Sequence, residues 1–257
     1  VKLDRECFHF RPELIKKILS LGSASFLSQI SIVLSMAATL NVVVKYGALD
    51  PVFGQAEYSQ IPTAVTGIII KFFQIIISIS AGLAAGCIPV SGYNIGAGRN
   101  DRVTELMKRL MTVEFLVGLT ATFIFLLFPN QLIRLFGSEN ESIYYTRFAV
   151  WYIRGQLCLL PLACVNKGSF IFLQSLGQAK QSSALSLTRE IVFGVSFPIL
   201  LSMLWGLYAL PFFMPVADAL TFVAVAFVLH KNWICLKNAG SPLSPACYIN
   251  GTKFLSS

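Results

Sequence analysis

Charged side chains inside long apolar runs are the residues of this chain best suited to do chemistry. Asp218 is the one charge in residues 191–230, and Lys71 is the one charge in residues 59–93. An ionised group at the centre of a bilayer costs about 2.5 to 3.5 kcal/mol on insertion scales, so such groups usually face a cavity or a partner. A carboxylate at the position of Asp218 suits the binding of a proton, a sodium ion or a cationic ligand. The alternative is a structural hydrogen bond to a neighbouring helix.

Lys71 and Glu114 are the other charges to be placed in these segments. A buried Lys71 ammonium would need a carboxylate, and Asp218 and Glu114 are the candidates; snorkelling of Lys71 to the interface is the alternative. Gln74 lies about one turn further along, on roughly the same helix face, so we place Lys71 and Gln74 on a substrate or ion pathway. Glu114 is placed near the start of its segment, and we expect it to be an interfacial carboxylate.

Amide side chains in another apolar run are candidates for the same pathway. Gln156, Asn166 and Gln174 each need a hydrogen-bond partner there, because lipid offers none. A substrate would satisfy these amides, and so would hydrogen bonds between neighbouring helices. Both interpretations stay open for each residue.

Residues for enzymatic or metal chemistry are scarce. The chain has two histidines and six cysteines, and the cysteines form neither a CxxC pair nor a spacing typical of a metal site. We therefore expect no enzyme activity, no metal and no cofactor. The net charge of +8 is not gathered into a basic stripe with interleaved aromatic residues, so we expect no nucleic acid partner.

The elements that must position these residues are membrane helices. Hydrophobic residues make up 55% of the 257 residues and charged residues 12%, whereas about 25% charged residues is typical of soluble domains. A helix needs about 20 apolar residues to cross the hydrocarbon core. The sequence therefore predicts an all-α membrane protein with six transmembrane helices, the second of them long or broken near Gly82, Gly86 and Pro89. The predicted helices are residues 14–46, 59–93, 102–128, 142–174, 181–204 and 207–230, within one domain at 1–240 followed by a flexible tail at 241–257.

The basic residues between the apolar runs predict the orientation, because short cytoplasmic loops collect Lys and Arg. Three lie on one side of the predicted bundle, namely Lys45, Arg134 and Arg147. Thirteen lie on the other side, namely Lys2, Arg5, Arg11, Lys16, Lys17, Arg99, Arg102, Lys108, Arg109, Lys180, Lys231, Lys237 and Lys253. We therefore expect both termini in the cytoplasm and an even number of spans in the cytoplasmic membrane.

Four segments carry a resemblance to a known family. The first is GLAAGCIPVSGYNIGAGRNDRV at 82–103, which holds Pro89, Tyr93, Asn94 and Gly96 in a Gly-rich helix end followed by a turn. The others are FLQSLGQAKQSSALSLTREIVFGVSFPILL at 172–201, GLYALPFFMPVADALTFVAVAFVL at 206–229 and LIKKILSLGSASFLSQIS at 14–31. Together they resemble the multidrug and toxic compound extrusion (MATE) family.

The resemblance implies two six-helix lobes, of which these motifs match helices seven to twelve. It implies an antiporter that exports drugs, organic cations or other amphipathic molecules in exchange for Na⁺ or H⁺ as two lobes rock around a central cavity. The chain begins at Val1 rather than at a methionine, and we expect its partner to be an N-terminal six-helix lobe or a second chain. If the chain works as the resemblance implies, Asp218 is the residue for ion coupling or for anchoring a cationic drug.

We expect structural or gating roles for a further set of residues, namely Arg189, Glu190, Pro89, Tyr93, Asn94 and Gly96. Arg189 is expected to brace helix ends, because its fork can bind several carbonyls or a carboxylate. Glu190 stands where an uncharged or amide residue is expected, and Asn94 is expected to fix the turn after Tyr93.

A lipid-linked oligosaccharide flippase of the same wider superfamily is the alternative function. It would need a strongly cationic cavity to hold a pyrophosphate. The flippase alternative is supported by three cations in the apolar runs, namely Lys71, Arg154 and Lys167. The turn at residues 91–98 weighs against it.

Overall fold

The computed structural model describes residues 12–134 and 142–238, and these form helices joined by turns and short loops. The predicted tail at 241–257 lies outside the described residues. The helices are α1 (Pro12–Ala48), α2 (Ile61–Gly96), α3 (Asn100–Leu127), α4 (Pro129–Arg134), α5 (Ile143–Gln156), α6 (Leu160–Ser175), α7 (Ala179–Leu187), α8 (Gly194–Trp205) and α9 (Phe213–Asn238). A π-helical turn, Thr188–Phe193, joins α7 to α8, and a 3₁₀ segment, Leu207–Phe212, joins α8 to α9.

Five membrane spans, or six if one bent helix pair counts as a single span, follow from the lengths and apolar character of the described helices. Helices α1, α2 and α3 each cross alone, as do the continuous units α7–α8 and 3₁₀–α9, which makes five in the described part of the chain. The bent pair α5 and α6 together is long and apolar enough to be the sixth. The chain is therefore a multi-pass membrane protein, as its hydropathy predicts.

The predicted fourth helix, 142–174, is wrong as a single rod. The structure divides it into α5 and α6, which meet at an angle of 49° across residues 157–159. Pro161 is the cause, because it lacks an N–H group and its ring would clash with the carbonyl four residues earlier. The bend changes the direction of α6, which carries Asn166 and Lys167.

The second helix of the bundle shows the opposite outcome. Helix α2 runs unbroken for 36 residues from Ile61 to Gly96, with Pro89 inside it. It ends near Gly98, whose φ of 74° lies in the left-handed region that favours glycine. The interruption considered near Gly82 and Gly86 is absent.

Helix α6 lies at the centre of the bundle and packs mainly against α3 and α2, and also against α7 and α9. Its contact with α3 is close because Gly118 has no side chain. A Cβ atom on Gly118 would lie 2.7 Å from the backbone nitrogen of Pro161 and 2.8 Å from the carbonyl oxygen of Leu160. This packing holds α6 between α3 on one side and α9 on the other.

Candidate functional site

A cavity of about 420 Å³ opens between α1, α2, α6, the π-helical turn and the start of α9. Its floor and walls mix aliphatic and aromatic side chains with polar ones. The polar residues are Ser28, Gln29, Ser35, Thr39, Gln74, Ser78, Lys167, Ser186, Arg189 and Glu190. An apolar cavity with a small number of polar groups is typical of small-molecule sites.

Arg189 and Asp218 form an ion pair beside this cavity. Arg189 Nε donates to Asp218 Oδ1 at 2.7 Å, and the two side chains are 13% and 3% exposed. The guanidinium of Arg189 also pairs with the neighbouring Glu190. Buried charges need partners of opposite sign, and here one guanidinium faces two carboxylates. The three residues form the site that we call the Arg189 triad.

The local backbone explains how Arg189 and Glu190 both reach the interior. They lie in the π-helical turn Thr188–Phe193, which follows the regular helix α7. Turns of this kind occur mostly as short bulges and frequently at functional sites. The guanidinium carbon also lies 5.8 Å from the centre of the Phe73 ring, so α2 contributes a cation–π contact.

Asn166 connects α6 to the helix that carries Asp218. Its Nδ2 donates to the backbone carbonyl of Asp218 at 2.9 Å, and the side chain is buried. The bond fixes α9 against α6 at the level of the carboxylate. Asn166 therefore acts here as a contact between helices, one of the two roles open from the sequence.

Ser35 joins α1 to α8 next to the triad. Its Oγ donates to the carbonyl of Gly194 at 3.0 Å, and a side chain on Gly194 would collide with Ser35. Ser35 and Thr39 line the cavity although neither was predicted from the sequence as a site residue. The signal available in the sequence was a pair of hydroxyl residues four positions apart in an otherwise apolar span. The same pattern is also common in ordinary helix packing.

Lys71 does not pair with Asp218, which was one of the two carboxylates open to it from the sequence. Lys71 is exposed, it does not line the cavity, and among the described residues no carboxylate lies within ion-pair distance of it. Asp218 takes Arg189 instead, because the π-helical turn brings that residue against α9. Gln74, on the same helix as Lys71, does line the cavity.

The prediction that Glu114 lies at the membrane interface is wrong. Helix α3 begins at Asn100, so Glu114 lies in the middle of the span, and it is 0% exposed. Its carboxyl group contacts the Ser80 hydroxyl of α2 and lies against Gly168 of α6. The glycine leaves room for a carboxyl group at a junction of three helices.

The remaining amides do not line the cavity. Gln156 is buried and its Nε2 lies 3.0 Å from the Met214 sulfur, whereas Gln174 is exposed and bonds to Ser182 Oγ at 3.2 Å. Neither residue is part of the cavity lining. The structure thus joins Gln74, Arg189 and Glu190 in one site and leaves Gln156 and Gln174 in contacts between elements.

The Gly-rich motif lies at the far end of α2. Pro89 and Tyr93 are exposed, and the Asn94 side chain donates to the Val90 carbonyl at 2.8 Å. The Asn94 carbonyl accepts from the Arg99 backbone N–H at 2.9 Å across the turn. Gly96 is the last residue of the helix, so the segment closes a loop and does not contact the cavity.

The three cations considered for a pyrophosphate site are not gathered. Lys167 lines the cavity, but Lys71 and Arg154 are exposed elsewhere on the lobe. Lys167 lies there with Arg189 and Glu190, so the cavity wall carries both signs of charge. This arrangement does not favour the flippase alternative.

Comparison with known proteins places this architecture in a family. A family model described as MatE matches residues 52–200. The probable multidrug resistance protein YoeA of Bacillus subtilis (strain 168) is 25% identical over 148 residues, which are 56% of this chain and 28% of that protein. The match of the family model ends before α9, so Asp218 lies outside it.

Solved structures share the fold over nearly the whole chain. A crystal structure of MATE in complex with MaL6 has a TM-score of 0.79 and 19% identity, covering 93% of this chain and 51% of that one. The outward-facing conformation of a multidrug resistance MATE family transporter of the MOP superfamily has a TM-score of 0.77, 19% identity and coverage of 93% and 51%. The chain therefore spans about half the length of these transporters. Because the family model covers more than half of the residues, the chain belongs to the MatE family.

Proposed function

We propose that this chain is one six-helix lobe of a secondary active antiporter that exports drugs or organic cations in exchange for Na⁺ or H⁺. Membership of the MatE family and the name of the Bacillus relative support the export of drugs. The observation that carries the proposal for this chain is the Arg189 triad beside an apolar cavity. It combines a surface for a hydrophobic substrate with a carboxylate that can exchange its partner.

The triad supports a specific coupling step. Asp218 now satisfies Arg189, and a proton or Na⁺ arriving at the carboxylate would compete with the guanidinium for the same oxygen. Loss of that contact would leave Arg189 with Glu190 alone and would loosen α9 from the π-helical turn. Substrate binding and ion binding would then oppose each other through one carboxylate, which is what exchange requires.

Alternating access in this proposal needs a second body. A rocker-switch moves two lobes against each other around a site between them, and this chain spans about half the length of its solved relatives. We infer that the cavity faces a second six-helix lobe or a partner chain. The excess of basic residues on one side further supports a cytoplasmic membrane location with both termini in the cytoplasm.

Transport by an Asp218→Asn variant tests the coupling role. Proteoliposomes that contain the whole transporter would be given an inward proton or sodium gradient, and ethidium efflux would be measured per folded protein. We expect gradient-driven efflux to fall at least about tenfold, since removal of a coupling carboxylate removes the ion's binding site. Asp101→Asn is the matched control, because Asp101 is exposed in the first turn of α3.

Three results would contradict this proposal. Full gradient-driven efflux by Asp218→Asn would remove Asp218 from coupling. Vectorial transport by this chain as a purified monomer would contradict the two-lobe mechanism. Equal losses in Asp218→Asn and Asp101→Asn would show a general effect of charge rather than coupling.

A further inference from the structure

A second buried carboxylate lies away from the cavity, at the junction of α2, α3 and α6. Glu114 is 0% exposed and does not line the cavity. Its Oε2 contacts the Ser80 hydroxyl, and its Oε1 is buried without a hydrogen-bond partner among the described residues. A buried polar group of this kind needs a specific explanation, because an unsatisfied acceptor costs about 1 to 3 kcal/mol.

The hydrogen-bond contacts at this junction favour the protonated form of Glu114 over the ionised carboxylate. Ser80 Oγ is within hydrogen-bonding distance of two acceptors, Glu114 Oε2 and the Cys164 carbonyl at 3.2 Å. A serine hydroxyl has one proton, so it cannot donate to both. If Glu114 carries a proton, its O–H donates to Ser80 and the Ser80 O–H donates to Cys164. The acid form satisfies both contacts, and the carboxylate form satisfies one.

In the part of the chain that the structure describes, no cation pairs with the carboxyl group at this junction. Glu114 makes no ion pair within the described residues, and the titratable groups near it are the thiols of Cys164 on α6 and Cys87 on α2. The basic residues one to two turns away on α3 are engaged elsewhere. Lys108 lies over the Trp233 ring of α9 at 5.1 Å, and Arg109 pairs with Glu105.

The described residues offer Glu114 no group of three or more His, Cys, Asp or Glu side chains that could hold a metal ion, and α6 packs closely against it. A Cβ on Gly168 would lie 2.9 Å from Glu114 Cγ and 3.0 Å from Oε1, so α6 is in direct contact with the carboxyl group. Sodium needs several oxygen ligands around it, whereas a proton needs one oxygen and almost no volume. The close contact with α6 therefore favours a proton over a metal ion at this carboxyl group.

We propose that Glu114 is a proton-binding site, separate from the Arg189 triad, at which the neutral acid holds α3 against α2 and α6 through Ser80. Proton loss would place an unpaired negative charge at the junction and would separate these helices. The proposal does not depend on the identity of the coupling ion or of the substrate.

Infrared spectroscopy of the purified protein in lipid tests the inference directly. A protonated carboxyl group has a C=O stretching band that an ionised one lacks, and the band shifts in D₂O. We expect such a band near neutral pH in the wild type, lost in Glu114→Gln and kept in Glu105→Gln. Glu105 is the matched control, because it is exposed on the same helix and pairs with Arg109. Identical spectra for the wild type and Glu114→Gln would overturn the proposal.

A second variant keeps the proposal testable if Glu114→Gln fails to fold. Ser80→Ala removes the acceptor of the acid proton, so the Glu114 band should remain and move to higher frequency. An unchanged band in Ser80→Ala would show that the two groups do not share a proton-donating bond. Thermal unfolding gives an independent readout: the wild type should lose stability as the pH is raised, and Glu114→Gln should lose none from this site. Parallel pH profiles for the two proteins would also contradict the inference.

Discussion

Arg189 and Asp218, which are 29 residues apart in the chain, meet inside the bundle with an Nε–Oδ1 distance of 2.7 Å. The contact joins the π-helical turn to α9, and both side chains are largely removed from solvent. The opposite charge of each side chain stabilises the other in this buried position. Glu190 gives Arg189 a second carboxylate, so the guanidinium keeps a partner if Asp218 is lost.

The strength of this pair can be measured by a double-mutant cycle. Removing one partner of a buried pair costs about 3 to 5 kcal/mol, and we expect Arg189→Gln in that range and Asp218→Asn below it, since Glu190 remains. The loss of unfolding free energy in the double variant should be smaller than the sum of the two single-variant losses by about 0.5 to 3 kcal/mol. Free energies of unfolding in detergent would check this. Additive losses would show that the side chains do not interact.

An exposed pair provides the control for that cycle. Arg109 and Glu105 are four residues apart on α3, and both side chains are more than half exposed. Arg109→Gln should change the free energy of unfolding by less than about 1 kcal/mol, because water already screens this pair.

Close packing of α3 on α6 predicts a difference between two glycines. Gly118→Ala would bring a methyl group within 2.7 Å of the Pro161 nitrogen, and that backbone cannot move without shifting α6. We expect a loss of about 1 to 3 kcal/mol. Gly82→Ala in α2 meets nothing within 4 Å, so it should be neutral or gain up to about 1 kcal/mol. Unfolding temperatures of the two variants in the same detergent would compare them; equal values would contradict the helix contact.

The proposed orientation predicts which loops face each side of the membrane. In a background without the six cysteines, Arg102→Cys near the start of α3 and Gln55→Cys in the loop before α2 both offer exposed positions. A membrane-impermeant maleimide should label Gln55→Cys in intact cells and Arg102→Cys after permeabilisation, because basic loops stay in the cytoplasm. The opposite labelling would reverse the orientation.

Much of the fold could be predicted because crossing a bilayer is a requirement that local sequence must meet. Each predicted span corresponds to helices in the structure, with small shifts at the ends such as 59–93 against Ile61–Gly96. The bend between α5 and α6 was also encoded locally, in Pro161, although a window of hydropathy cannot separate a bent span from a straight one. The Gly-rich turn near Gly98 is local for the same reason, since φ > 0 belongs to one residue.

The functional site depended on distances that no local pattern contains. The sequence identified Asp218 as a charge in need of a partner, because the cost of burial belongs to the residue itself. Which cation meets it depends on how α9 packs against the π-helical turn, and the sequence left Lys71 as one candidate among several. Glu114 likewise became buried because Gly168 of another helix leaves space for it. The sequence alone therefore determined the membrane-spanning helices and the charges within them, whereas tertiary packing decided which of the described charges pair with one another.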